Sequence, residues 1–183
     1  MSATPVLEAV LARRSRSKVT AEAPGHEEIA AYVSAASRLA DHSSLRPWRV
    51  IEIRGAARDR IGRSFAAASG DKKDARKHIE KTHRASLLLA VVVSVKKSKV
   101  PAWEQEAVAA GVAHMVSLLL DDAGWGVFWR TGGATRAKAV RKAHGLKKGE
   151  ELLGWLYVGG KPGNARTGRR KTINAKAHLS SMP

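Results

Sequence analysis

Arg13, Arg14 and Ser15 stand at the end of a short apolar-periodic segment, and their side chains together can hold a phosphate. A guanidinium is a planar fork that grips two phosphate oxygens at once, and a serine hydroxyl beside it adds a short donor. Val6, Leu7, Val10 and Leu11 recur at helical spacing, which predicts a helix with one buried face that delivers the arginines at its C-terminal end. The same pattern has a second meaning. Cations in a last turn complement the helix dipole and cap the final carbonyls, so the cluster alone fits a phosphate grip or a capped helix end.

Two further segments carry chemistry-bearing residues. Ala40-Asp41-His42-Ser43-Ser44-Leu45-Arg46-Pro47-Trp48 leads into a strand, and Gly126-Val127-Phe128-Trp129-Arg130-Thr131-Gly132 follows a long apolar helix. In content and in order, these three segments resemble the FMN-dependent nitroreductase family, and most closely its short branch. The resemblance extends to Pro101-Ala102-Trp103-Glu104-Gln105-Glu106 at the start of the long helix and to the strand from Leu152 to Gly159.

The resemblance implies an α+β fold: a nitroreductase-like sandwich whose mixed, largely antiparallel sheet is flanked by helices, dimeric, with FMN where two subunits meet. It implies that Arg13, Arg14 and Ser15 hold the phosphate and ribityl end, and that Trp129, Arg130 and Thr131 form the later turn against the cofactor. Arg38 and His42 complete the set, contributed across the dimer. Leu119, Leu120, Asp121, Asp122, Ala123 and Gly124 match the branch's nicotinamide-side stretch, although the end of a packed helix would look the same. The family's usual cation beside the reduced pyrimidine ring would fall at Ser17, so Lys18, or else Arg16, takes that role. Arg46 stands where the larger family usually has Gln.

No protein nucleophile is required, because the flavin carries the chemistry. The implied activity is that of an FMN-dependent NAD(P)H oxidoreductase. A hydride passes from NADH or NADPH to FMN and then, in a ping-pong cycle, to a nitroaromatic, quinone or similar small-molecule acceptor. Two alternatives remain: a basic nucleic-acid-associated protein, and a flavin-binding relative without reductase activity.

The elements that must position these residues follow from periodicity. Ile29, Val33, Ala36 and Ala40 mark a second amphipathic helix; Trp48 to Ile53 reads as a strand closed by Gly55; Arg58 to Ala68 reads as a helix. Asp71 to Arg84 is so charged that it is a loop or a solvated helix, and Leu87 to Val95 is a buried strand. From Pro101 to Ala123 a long helix carries apolar residues on more than one side, as burial inside a domain or between subunits requires. Trp125 to Trp129 forms a strand, Arg136 to His144 a helix closed by Gly145, and Leu152 to Val158 a last strand.

At 183 residues the chain fits one nitroreductase-like FMN-binding domain, residues 1–183, with 161–183 as a basic C-terminal extension. There is no cysteine, hence neither disulfide nor thiolate chemistry, and the seven histidines show no paired metal spacing, so no metal is expected. The apolar run Leu87 to Val93 is too short to span a bilayer and the N-terminus has no signal-peptide pattern, so a cytoplasmic protein without membrane attachment is expected.

The charge is the feature that favours the nucleic-acid alternative. Thirty-three Lys and Arg against 16 Asp and Glu give +17, the footprint of a polyanion binder. Arg166, Arg169, Arg170 and Lys171 lie in a tail without Asp or Glu. No DNA- or RNA-reading motif accompanies them, so any nucleic-acid binding is expected to be weak and non-specific.

Overall fold

The computed structural model describes residues 4–70, 75–163 and 172–182. Four strands, β1 (Trp48–Ile53), β2 (Leu87–Ser94), β3 (Trp125–Arg130) and β4 (Glu150–Gly160), lie in the order β1-β2-β4-β3. Each neighbouring pair is antiparallel. The central strands β2 and β4 are apolar on both faces because both faces are covered. Among the described residues the parallel contact is a bridge from Ser15 to Val127 at the outer edge of β3. The expected mixed, largely antiparallel sheet is realised in that way.

Helices cover the sheet on two sides. On one, Ile29 and Ala36 of α2 (His26–Ala36) and Val112, Val116 and Leu120 of α5 (Ala102–Asp122) meet Leu87, Leu89, Leu156 and Val158. On the other, Ile61 of α3 (Ala57–Ser69) and Val140 of α6 (Lys138–Ala143) meet Leu88, Ala90, Leu152 and Trp155. Successive residues of β2 thus serve opposite cores, as the period of a strand demands. α4 (Ala75–Thr82) packs on α3 so closely that a Cβ on Gly62 would lie 2.5 Å from Ile79 Cα. Residues 75–82 of the charged stretch are therefore a helix, while residues 71–74 lie outside the described residues.

Two sequence expectations need correction. The helix predicted from Val6 to Leu11 exists as α1 (Pro5–Ala12), capped by the Thr4 hydroxyl, but none of its residues is buried. Val6 is 70% exposed and Leu11 61%. Periodicity shows that a helix has an apolar stripe and says nothing of what covers it; among the described residues nothing buries it. The segment from Arg136 to His144 is shorter as an α-helix than expected, with a 3₁₀ turn at Gly133–Arg136 preceding α6.

α5 explains its own breadth. Gln105, Val108, Ala109, Val112, Ala113, Val116, Ser117 and Leu120 form one buried face, and on another side Leu39 fills the notch at Gly111. Trp103 (68%) and Met115 (37%) stay exposed. Of the C-terminal extension, residues 161–163 and 172–182 are described, with a 3₁₀ turn at Ala175–Ala177. Arg166, Arg169, Arg170 and Lys171 lie outside the described residues.

A buried histidine supplies a pH dependence. His144 Nδ1 lies 2.8 Å from the Val140 carbonyl, and the Trp155 indole N–H donates to Nε2 at 2.9 Å. That pattern requires the neutral ring, with the proton on Nδ1. Burial, reinforced by Arg60 and Arg49 and partly opposed by the bond to Val140, holds the His144 pKa below its ordinary value. The unfolded chain therefore binds the extra proton first. Stability from His144 is complete above the unfolded value near 6.5 and declines as pH falls toward the lower folded value. We expect the urea midpoint to fall between pH 7.5 and pH 5.5, and the fall to shrink in His144→Gln. An equal fall in both proteins would remove His144 as its cause.

Candidate functional site

The chain leaves α1 at Ala12 and runs along the edge of β3, so the phosphate-grip residues are set by both elements. Arg16 N–H donates to the Val127 carbonyl at 2.8 Å, which extends the sheet by one short edge segment. Arg14 Nη1 donates to the carbonyls of Leu11, Ala12 and Arg13 at 2.7 to 3.0 Å. One of the two arginines therefore caps the helix end. Arg13 is directed differently, with Nη1 3.4 Å from the Ser15 hydroxyl. Both residues remain accessible to an anion.

Arg14 Nε and Arg16 Nε are buried without a hydrogen-bond partner, and so is Trp129 Nε1. Buried donors in native proteins almost always have acceptors, and two orphans two residues apart on one edge segment mark missing acceptors. Lys18, two residues beyond Arg16, is exposed and has no hydrogen bond or ion pair among the described residues.

Trp129 and Arg130 end β3, and Thr131 follows it. The Trp129 ring meets His114 of α5 edge-on at 4.9 Å, and the Arg130 guanidinium lies 5.0 Å from the centre of the Tyr157 ring and 5.2 Å from Phe128. Gly154 of β4 makes the turn possible. It sits at a bulge with φ of 140°, and a Cβ there would lie 2.8 Å from Trp129 Nε1 and closer still to the Arg130 carbonyl. The three residues line a cavity of about 660 Å³ whose walls include Phe65, Trp155 and Tyr157 and whose nitrogen-bearing ionisable groups among the described residues are His78, Lys81 and Arg130. All three of those are bases. An anionic or electron-rich planar group suits that lining.

Arg38 and His42 are elsewhere. Arg38 is exposed at the C-terminal end of α2, and His42 opens a tight loop before β1. Its Nδ1 lies 2.9 Å from Glu104 Oε2 at the start of α5. Ser43, Ser44 and Arg46 have φ of 61°, 49° and 47°, the non-glycine residues with positive φ among those described. Such geometry costs about 1–2 kcal/mol per residue and clusters at functional sites. Asp41 holds it by accepting the Arg46 N–H at 2.6 Å. Arg46 itself is exposed and does not line the cavity at Trp129.

His42 and Glu104 rim a second cavity of about 590 Å³, floored by Leu39, Val100 and Val108. No shared cavity, hydrogen bond or ion pair joins this group to Arg13 or Trp129 within one chain among the described residues. The stretch Leu119 to Gly124 is divided: Leu120 belongs to the core, and Lys161 Nζ donates to the Asp121 carbonyl at 2.6 Å while lying 3.5 Å from its carboxylate. Asp122, Ala123 and Gly124 are exposed. Sequence reasoning missed Glu104 as the partner of His42 and Gly154 as the support of Trp129, because both are tertiary relations.

Comparison with known proteins agrees with this architecture. The model of the Nitroreductase family matches residues 10–160. The "Putative NAD(P)H nitroreductase YdjA" of Escherichia coli (strain K12) is 35% identical over 159 residues, 84% of this chain and 86% of that protein. The structure of a nitroreductase-like family protein from Bacillus cereus superposes with a TM-score of 0.84 at 18% identity, covering 100% of this chain and 98% of that one. A nitroreductase from Desulfovibrio desulfuricans, solved in complex with FMN, gives 0.77 at 18% identity over 100% and 99% of the two chains. With the α/β/α sandwich, the edge segment at Arg13 to Arg16 and the turn at Trp129 in place, the chain belongs to the nitroreductase family.

Proposed function

We propose that the protein is an FMN-dependent NAD(P)H oxidoreductase of nitroreductase type, acting as a homodimer. The observation that carries the reading is the pair of buried, unpartnered donors at Arg14 and Arg16 along the β3 edge. FMN is rich in what they lack, since its phosphate and the rim of its ring present acceptors. Its relatives support the cofactor and the electron donor: one is named for NAD(P)H and one is solved with FMN.

On this reading Arg13 and Ser15 hold the phosphate end, Arg14 backs them from the helix terminus, and Trp129, Arg130 and Thr131 flank the ring. When bound, FMN would supply two-electron chemistry between NAD(P)H and a nitroaromatic, quinone or similar acceptor. The chain's own contribution is to bind, orient and stabilise charge. Lys18, which is exposed, or else Arg16, whose Nε is buried without a hydrogen-bond partner, would stabilise negative charge on the reduced ring. Leu119 to Gly124 offers only its exposed end, Asp122 to Gly124, to a nicotinamide.

The dimer supplies what one chain lacks. The uncovered stripe of α1, together with Met115, is an apolar surface of the kind that a second copy buries. Arg38 and His42, which share no cavity, hydrogen bond or ion pair with Arg13 in one chain among the described residues, then come from the partner. The test is direct. The purified protein should carry or take up one FMN per chain, oxidise NAD(P)H with a quinone or nitroaromatic, and have a dimeric mass by light scattering. A protein that shows no change in flavin fluorescence on titration refutes the reading.

A further inference from the structure

We infer that His42 and Glu104 form a proton-delivering dyad at the acceptor subsite of this enzyme, with the exposed Trp103 ring as the platform on which an aromatic acceptor stacks. The inference rests on the flavin reading above and extends it to the second half-reaction. Four observations lead to it. The loop from Asp41 to Arg46 holds three non-glycine residues at positive φ, a strained arrangement that a plain surface connection would not keep. His42 Nδ1 lies 2.9 Å from Glu104 Oε2. The pair rims a cavity of about 590 Å³ with an apolar floor of Leu39, Val100 and Val108. Trp103, 68% exposed, stands at the same rim.

The geometry assigns the parts. A carboxylate can only accept, so the hydrogen of the neutral imidazole is on Nδ1 and Nε2 is left without its hydrogen on a ring that lines the cavity. Nε2 can then bind a proton from water and release it to a substrate oxygen, with Glu104 holding the ring and stabilising the imidazolium. Among the described residues Asp41, His42 and Glu104 are the ionisable groups lining this cavity, and no Lys or Arg lines it. The apolar floor and the indole face suit a flat aromatic ring.

The chemistry requires such a donor. Reduction of a quinone takes one hydride from reduced FMN and one proton, giving the hydroquinone. Reduction of a nitroarene to the nitroso compound takes one hydride and one proton and releases one water. In both, the hydride supplies two electrons and the second hydrogen must arrive as a proton at oxygen. Ferricyanide, which takes single electrons and no proton, has no use for the dyad.

The experiment compares acceptors within one preparation of FMN-loaded enzyme, so that differences in cofactor content cancel. Glu104→Gln and His42→Gln should lower the ratio of menadione turnover to ferricyanide turnover by roughly tenfold to a hundredfold, and Glu104→Asp should restore much of it. Trp103→Leu should raise KM for menadione more than it lowers kcat. Independently of turnover, nitrogen-15 NMR of the flavin-free protein should show the His42 proton on Nδ1, and Glu104→Gln should move it toward Nε2. An unchanged ratio in both variants overturns the inference, whatever the histidine tautomer does, and reduces the pair to a tie between loop and helix. Absence of turnover with either acceptor in the wild-type protein instead overturns the flavin reading beneath it.

Discussion

Arg13→Glu should all but abolish FMN uptake while leaving the fold intact. The substitution exchanges a charge-assisted hydrogen bond for a carboxylate facing a phosphate, at a residue that no ion pair holds among the described residues. Losing the bond costs on the order of 1.5 to 3 kcal/mol, about tenfold to a hundredfold in dissociation constant, and repulsion adds to that. Flavin titration of the apo protein measures it. Arg14 provides the contrast, because its contacts are to the carbonyls that end α1. Arg14→Ala should therefore weaken binding less. Wild-type affinity in Arg13→Glu would detach the segment from the cofactor altogether.

The second large effect is on stability. Glu150, at the start of β4, has a side chain only 9% exposed and accepts two bonds from Arg49 of β1 at 2.8 Å, one from the Ser94 hydroxyl and one from the Lys147 amide. The Arg49 guanidinium above all, then the amide and the hydroxyl, holds the Glu150 pKa down to about 2 from the ordinary 4.5, against the opposing effect of burial. That depression corresponds to about 3 kcal/mol of folding stability. It is present above pH 4.5, where the unfolded carboxylate is also ionised, and is lost as pH falls through 4.5 toward 2. Glu150→Gln should unfold at markedly lower urea than wild type at pH 7, and the two midpoints should converge toward pH 3. Curves that stay equally separated across that range would show that the carboxylate is not the source.

Much of this was legible in residue order. The strands from Trp48, Leu87, Trp125 and Leu152 and the helices around them appear where apolar periodicity places them, because a two-residue or 3.6-residue repeat is a local property of the chain. The pairing of those strands is not local. Nothing in the apolar run of Leu87 to Ser94 states that it lies between β1 and β4, and a parallel arrangement with intervening helices would satisfy the same pattern. The bulge at Gly154, which seats Trp129, depends on that pairing.

For the site, the sequence by itself determined the types and the order of its segments: two arginines and a serine after the first helix, a histidine in a short polar loop, and a Trp-Arg-Thr turn after the long helix. Only the tertiary structure decided how they are employed. It turned Arg14 onto its own helix end, left Arg16 Nε without an acceptor, and set His42 against a carboxylate 62 residues away. It also left the stripe of Val6, Leu7, Val10 and Leu11 uncovered, where the pattern alone promised a buried face. The physical reason is the same in each case. A side chain's chemistry is carried by its own residue, but its hydrogen-bond partner and its cover come from segments far along the chain, and these are settled only when the whole sheet and its helices pack together.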